Sequence, residues 1–183
     1  MASEADRLGI RRAIERGQGR LVPRQARRLA AAVVREARRR GLDPRLVAAV
    51  AIVESQFDPF AVSDQGALGV MQLMPATARE LSKSPGAAVP ALRERDLFDF
   101  ERNLELGAAY LAGLVRQFPC LDLALWAYNA GPTAARRLSL SGQAAPPGSY
   151  PHRVRLEYRK LAGAEAEAAL PAACALPPAA QGG

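Results

Sequence analysis

The feature that most constrains this chain is an apolar run, Val47–Ser55 (VAAVAIVES), which carries a single carboxyl group at Glu54. The dipeptide Asp43-Pro44 precedes the run, and these residue types are typical of the N-cap and first turn of a helix. Pro59 disfavours helical geometry at the residue before it, so the helix is predicted to end near Phe57. A helix that is apolar on all sides is predicted to be buried.

Glu54 shares one face of this predicted helix with three apolar side chains, those of Val47, Val50 and Phe57. Burial of an unpaired carboxylate is costly, and the usual response is a raised pKa. A carboxyl group that stays protonated near neutral pH can act as a general acid. The alternative that the helix alone leaves open is a buried Glu54 paired with an arginine in a structural role.

Three sequence blocks follow one another in order and carry a family resemblance. The first is Glu54-Ser55, the second is GALGVMQLMPATA over residues 66–78, and the third is AYNAGP over residues 127–132. A weaker fourth block, residues 103–111, has the pattern N-φ-x-x-G-x-x-Y-L, in which φ is apolar. Together these blocks resemble the soluble, goose-lysozyme-like lytic transglycosylases, over about residues 25–160.

The resemblance implies a mostly α-helical fold, a single lysozyme-like domain with a buried catalytic helix and a cleft loop. A very short β pairing is expected in the region 61–72. The composition agrees, because alanine, arginine and leucine dominate and β-branched residues are few. The chain is divided into a basic, loosely ordered segment over residues 1–22 (a loose helix or disorder), a transglycosylase domain over 23–160, and an Ala/Pro-rich tail over 161–183 that is predicted to be disordered.

Further helices are predicted on either side of the Glu54 helix. Residues 24–40 form one, with Gly41 as its stop and an inner stripe made of Leu29, Ala30, Val33, Val34 and Ala37. A second spans Phe100–Phe118, and Gly107 on its inner face is expected to admit another helix, of which the Glu54 helix is one candidate. A third covers residues 121–130.

The resemblance also implies an activity. Members of this family cleave the β-1,4 bond between N-acetylmuramic acid (MurNAc) and N-acetylglucosamine (GlcNAc) in peptidoglycan and leave 1,6-anhydro-MurNAc. Glu54 is then the single general acid and base. The same match assigns the substrate-binding residues, which are Ser63, Gln72, Met74, Tyr128, Asn129 and Tyr150.

A single carboxyl group is consistent with this chemistry. Ordinary glycosidases need two carboxylates, one as acid and one as nucleophile or base. In the family reaction the attacking hydroxyl belongs to the substrate, so one carboxyl group suffices. Asp58 and Asp64 are the nearby candidates for a second carboxylate, and both have the sequence context of turn residues.

The sequence departs from the family pattern before Tyr150. The family often has E-T-x-x-Y-V, whereas this chain has Pro146-Pro147 in place of Glu-Thr and Pro151 in place of valine. Two alternatives to the transglycosylase therefore stay open: a lysozyme-type hydrolase, and a catalytically weak cell-wall-binding or assembly module.

A formal net charge of +7 indicates an anionic partner. A nucleic-acid-binding helical protein is the competing reading, but no DNA-binding motif is visible and the three blocks would be unexplained, so no nucleic acid partner is expected. One histidine and two cysteines do not supply an ordinary metal site, so neither metal nor cofactor is expected. Cys120 and Cys174 could form a disulfide or remain thiols.

The expected partner is therefore the peptidoglycan glycan strand. We expect a monomer in the cell envelope, either periplasmic or extracellular, with a secretion or envelope machine as a further candidate partner. Neither a signal peptide nor an integral membrane segment is visible in the chain.

Overall fold

The computed structural model describes residues 4–17, 21–83, 92–141 and 148–162. Within these ranges the chain forms eight α-helices and one 3-10 helix, which confirms the mostly helical prediction. The α-helices are α1 (Glu4–Arg16), α2 (Pro23–Arg39), α3 (Pro44–Ser55), α4 (Pro75–Ser82), α5 (Phe100–Gln117), α6 (Leu121–Ala130), α7 (Pro132–Ser141) and α8 (Tyr150–Ala162), and the 3-10 helix is Glu94–Phe98. The chain divides into two compact units after Tyr110, within α5.

Helix α2 in the first unit follows its predicted pattern. The stripe from Leu29 to Ala37 is buried. The helix ends where Gly41 takes a positive φ of 69°, and the amide of Leu42 donates to the carbonyl of Ala37 at 2.9 Å. Glycine adopts this left-handed conformation without a steric penalty, so the predicted stop is confirmed.

The N-terminal segment differs from its prediction. Helix α1 packs on α2 and α3, and its Ile10 and Ile14 are each only 1% exposed. Two isoleucines four positions apart make a narrow apolar stripe among the arginines, and this stripe is what α1 buries. Over residues 4–16 the structure therefore has a packed helix where a loosely ordered segment was predicted.

Helix α3 begins as its sequence predicts. Asp43 is the N-cap, and its Oδ1 accepts a hydrogen bond from the amide of Arg45 at 2.8 Å. The helix ends at Ser55, two residues before the predicted end, because Gln56 and Phe57 both have positive φ values, 53° and 64°. Left-handed geometry at two successive residues cannot continue a right-handed helix.

The burial of α3 is also less complete than predicted. Residues 46–51 are buried, but residues 52–55, which include Glu54, are half-buried. The first part of this apolar helix therefore lies in the core, and its last turn reaches solvent.

The segment after α3 contains the short β pairing that was predicted. Isolated antiparallel bridges join Val62 to Leu68 and Leu68 to Leu73. The second bridge is closed by reciprocal backbone hydrogen bonds of 3.0 Å between Leu68 and Leu73. We refer to residues 56–74 as the cleft loop, since the resemblance predicts that they wall a cleft.

Helix α5 begins after Asp99, whose Oδ1 accepts a hydrogen bond from the amide of Arg102 at 2.9 Å. A Cβ atom added at Gly107 would lie 2.6 Å from the Cβ of Met71. The close neighbour of Gly107 is thus the Met71 side chain of the cleft loop, and the expectation that it would be a helix such as α3 is wrong. Periodicity shows which face is buried but cannot show whether a helix or a loop covers it.

The second unit is built around α6, which packs on α7 and α8. Asp122 on α6 accepts a hydrogen bond from the guanidinium of Arg155 on α8 at 2.6 Å. The Pro146-Pro147 departure lies outside the described residues, as do the predicted tail from residue 163 onward and Cys174, on which the disulfide alternative depends. None of the helices in the described part of the chain combines the length and hydropathy that a membrane crossing requires.

Candidate active site

Glu54 lies at the edge of the core of the first unit. It is half-buried in the last turn of α3. The three apolar residues predicted to share its face, Val47, Val50 and Phe57, are at most 1% exposed. The carboxyl group is therefore carried by a turn that is packed on one side and reachable from the other.

Ser55 connects α3 to the cleft loop. Its hydroxyl donates to the carbonyl of Val70 at 2.8 Å. This bond fixes the middle of the loop to the residue next to Glu54. The second residue of the Glu-Ser block thus has a positioning role that the structure makes explicit.

Gln72 holds the loop in its bent conformation. Its backbone has a positive φ of 46°, and its side-chain amide donates to the carbonyls of Ala61 (3.1 Å) and Gly69 (3.0 Å). The resemblance assigned Gln72 to substrate binding. These described bonds are internal to the loop, and contact with substrate stays a prediction.

Ser63 and Met74 lie on the same loop. The Ser63 hydroxyl accepts a hydrogen bond from the amide of Ala67 at 3.0 Å and so closes a turn. Met74 directly precedes α4 and is 41% exposed, so its thioether is available to line a groove. Asp58 is a turn residue as predicted, since its Oδ1 accepts from the amide of Phe60 at 2.9 Å, and Asp64 is exposed.

Asn103 is a residue of this site that the sequence reasoning missed. It is fully buried on α5, where its Oδ1 accepts from the amide of Met71 at 2.7 Å. Its Nδ2 donates to the carbonyls of Leu68 and Leu97, both at 2.9 Å. A buried amide must be hydrogen-bonded, so an asparagine on the inner face of an apolar helix was the signal available in the fourth block.

Gly69 makes this arrangement possible. Its φ is 74°, and an added Cβ would lie 2.4 Å from the carbonyl oxygen of Leu97 and 2.5 Å from the Nδ2 of Asn103. Any side chain at this position would separate the loop from α5. The glycine therefore permits both the left-handed backbone conformation and the close approach of the loop to α5.

Glu36 and Tyr110 of the first unit have shifted pKa values. Burial alone would raise the pKa of the Glu36 carboxyl, but hydrogen bonds and charges from Arg35 and Arg40 outweigh it and hold that pKa below its ordinary value. Burial raises the pKa of the Tyr110 phenol above its ordinary value. Tyr110 follows Asn103 and Gly107 at helical spacing on the loop-facing side of α5, and its phenol stays protonated at neutral pH.

In the second unit, two of the predicted site residues are neighbours. The rings of Tyr128 and Tyr150 stack with their centroids 6.4 Å apart and an interplanar angle of 8°. The guanidinium of Arg153 lies 5.8 Å from the centroid of the Tyr150 ring. Asn129 is exposed at the end of α6, and His152 on α8 is also exposed.

The structure thus groups the predicted residues into two sets. Glu54 lies at one end of α3, and Ser63, Gln72 and Met74 are on the loop that Ser55 and Asn103 fix to α3 and α5. Tyr128, Asn129 and Tyr150 belong to the second unit, where the two tyrosines pair. The first set combines the Glu54 carboxyl group with a loop that bends at Gly69 and is hydrogen-bonded to α3 and α5.

Comparison with known families gives the same answer as the sequence blocks. The model of the transglycosylase SLT domain matches residues 31–146, which is more than half of the chain. The chain belongs to the transglycosylase SLT domain family. The resemblance stated from the three blocks is therefore confirmed, and the SLT match includes Glu54, the cleft loop and the Tyr128 block.

Relatives of this SLT domain carry matching names. This chain is 39% identical over 106 residues to the membrane-bound lytic murein transglycosylase F of Desulfosudis oleivorans, and the alignment covers 54% of this chain and 21% of the relative. It is 35% identical to the transglycosylase of Enterobacteria phage PRD1, and that alignment covers 72% of this chain and 43% of the relative. The chain therefore spans less than half the length of each of these relatives.

Two solved structures have the same fold. An inactive mutant of the lytic transglycosylase Slt from Pseudomonas aeruginosa aligns with a TM-score of 0.63 at 34% identity, over 72% of this chain and 23% of that one. The soluble lytic transglycosylase of Escherichia coli aligns with a TM-score of 0.64 at 28% identity, again over 72% and 23%. The lysozyme-like prediction of the fold agrees with both SLT structures.

Proposed function

We propose that this chain is a peptidoglycan lytic transglycosylase domain that cleaves the MurNAc–GlcNAc β-1,4 bond with Glu54 as its single general acid and base. The observation that carries the proposal is the position of Glu54 in the half-buried last turn of α3, next to a loop that Ser55 and Asn103 fix in place. Membership of the SLT family and the names of the relatives support the substrate class.

In the first step, the protonated Glu54 carboxyl gives its proton to the glycosidic oxygen. The bond between this oxygen and C1 of MurNAc breaks, and the GlcNAc side leaves as an alcohol. The positive charge that develops at C1 is shared with the N-acetyl oxygen of the same sugar.

In the second step, the Glu54 carboxylate takes the proton from the C6 hydroxyl of the same MurNAc. The C6 oxygen attacks C1, and the new C–O bond closes the 1,6-anhydro ring. The proton balance is zero and no water is consumed. The protein therefore has to hold the sugar so that C6 faces C1, which is a task of positioning.

The positioning residues of the proposal follow the resemblance. Ser63, Gln72 and Met74 of the cleft loop contact the sugars. The resemblance assigns Tyr128, Asn129 and Tyr150 to substrate binding as well, and the stacking of Tyr150 on Tyr128 restricts the orientation of both phenols. The partner is the glycan strand of the cell envelope, and a monomer suffices for the reaction.

Purified peptidoglycan digested by wild type and by Glu54→Gln tests the proposal. The amide keeps the shape of the side chain but has no proton to transfer, and we expect a loss of roughly 100- to 10,000-fold. Asp64→Asn is the matched control, since it removes a carboxyl group from an exposed position within the cleft loop, and it should keep near wild-type activity. Near-normal activity of Glu54→Gln would remove Glu54 from the mechanism.

A further inference from the structure

The first unit contains a cavity of about 610 Å³ that the proposed catalysis does not use. Three phenylalanines, two aspartates and a glutamine are among its lining residues: Phe60, Phe98, Phe100, Asp58, Asp99 and Gln25. Of the described residues that line it, none is a predicted substrate-binding residue, and Glu54 is not among them. Its volume lies in the range of about 300–1,000 Å³ that is usual for small-ligand sites.

An exposed aromatic ring stands at this cavity. Phe60 is 71% exposed, although a phenylalanine gains most from burial. Its ring centroid lies 6.2 Å from that of Phe98 at an interplanar angle of 31°, so the two rings form one tilted apolar wall. The third ring, Phe100, is covered by the guanidinium of Arg28 at 5.6 Å, which leaves Phe60 as the open surface.

The backbone holds Phe60 in this exposed position. The ring of Pro59 fixes the backbone φ angle of the residue before Phe60, and the Phe60 amide donates a hydrogen bond to Oδ1 of Asp58 at 2.9 Å. The ring is therefore presented by a closed turn, and its exposure is not the fraying of a loose end.

The two carboxylates of the cavity are acceptors placed around this wall. Asp58 uses Oδ1 for the Phe60 amide, and Asp99 uses Oδ1 for the Arg102 amide. Among the described residues, the Oδ2 atom of each carboxylate has no recorded partner, and each can accept a hydrogen bond from a ligand. Two carboxylates also repel an anionic ligand and favour one that donates hydroxyl or amide protons.

An open aromatic face beside hydrogen-bond acceptors fits a neutral sugar, whose C–H face packs on the ring while its hydroxyls donate to the carboxylates. In peptidoglycan, GlcNAc is the neutral unit, whereas MurNAc carries the lactyl group and the stem peptide. We propose that this cavity is a second glycan-binding site that holds a GlcNAc unit of the strand, away from the bond that is cut. The inference rests on the proposed function for its choice of polymer.

The test is a titration of the full chain with diacetylchitobiose, the GlcNAc disaccharide, followed by NMR. Saturable shifts of the amide signals of Asp58, Phe60 and Phe98 are expected in wild type and equally in Glu54→Gln. Phe60→Ala should weaken this binding by roughly 2- to 13-fold, the usual contribution of one aromatic contact. Leu140→Ala, which removes an 88% exposed side chain from α7, is the matched control and should bind as wild type does.

The outcomes separate this site from the catalytic proposal. Absence of saturable shifts at these residues, or unchanged binding by a folded Phe60→Ala, would overturn the second site even if peptidoglycan is digested. If the signals of the same residues shift with N-acetyl-lysine amide and not with the sugar, the cavity is a cation site and the glycan-site proposal is overturned. Shifts by diacetylchitobiose in a protein that does not digest peptidoglycan would support the site and contradict the proposed function.

Discussion

Replacing Gly107 by alanine tests the packing of the cleft loop on α5. The new Cβ would lie 2.6 Å from the Cβ of Met71 and 2.7 Å from its Cγ. Carbon atoms pack best at about 3.5–4.0 Å, so the overlap is about 1 Å. Met71 cannot easily move away, because it is fully buried and its amide is held by the Oδ1 of Asn103 at 2.7 Å.

Gly113 on the same helix is a matched control. Among the described residues, no heavy atom lies within 4 Å of a Cβ added there. Alanine in place of a helical glycine stabilises by about 0.5–1 kcal/mol, and this gain is common to both variants. Over-packing costs about 1–3 kcal/mol, so Gly107→Ala should be less stable than Gly113→Ala by that amount.

Urea unfolding followed by far-UV circular dichroism measures this difference. We expect Gly113→Ala to unfold at a higher urea concentration than wild type and Gly107→Ala to unfold at a lower one than Gly113→Ala. Equal midpoints for the two variants would refute the packing of Met71 against Gly107 and, with it, the reasoning that fixes the cleft loop to α5.

Three more predictions follow from the same contacts. Asn103→Ala removes the hydrogen bonds of the buried Met71 amide and Leu97 carbonyl, while the Leu68 carbonyl keeps its bond from the Leu73 amide. The free energy of unfolding should fall by about 2 kcal/mol or more. Ser82→Ala, which loses one bond within its own helix, should have a small effect, and equal urea midpoints would contradict this. Tyr128→Phe should lose part of its activity while its thermal unfolding is unchanged, and full activity would exclude its hydroxyl from the mechanism. Because the pKa of Glu36 is lowered in the folded state, the ionised carboxylate contributes to stability at neutral pH, and this contribution is lost as the pH falls below about 4.3, the ordinary value for glutamate. Glu36→Gln should therefore show a smaller fall of the melting temperature on acidification than wild type. An unchanged pH profile would exclude Glu36 as a source of the acid sensitivity.

The helices of this chain were predictable because their signals are local. The Asp43 cap, the Gly41 stop and the buried stripe of α2 each depend on residues a few positions apart, and each is found as predicted. The position of Glu54 on a helix that ends close to Pro59 follows from the same kind of signal. Helix α1 was harder to predict, because only two isoleucines distinguish its packed face from a solvated one.

The contacts of the cleft loop could not be predicted in this way. Asn103 bonds Met71 and Leu68, and Gly107 faces Met71, across chain segments that are more than thirty residues apart. The loop residues Ser63 and Gln72 were found through the family pattern alone, since periodicity carries no information about an irregular segment. The exposed ring of Phe60 gave no signal at all, because a single phenylalanine in a sequence is more often part of a core.

The fate of the solvent oxygen tests the central claim most directly. Purified peptidoglycan digested in water enriched in oxygen-18 should release fragments that end in 1,6-anhydro-MurNAc, each lighter by one water than a hydrolysis product and free of the heavy isotope. Fragments with reducing ends that carry oxygen-18 would show that water, and not the C6 hydroxyl, attacks C1, and they would contradict a mechanism in which Glu54 acts alone on a sugar that closes its own ring.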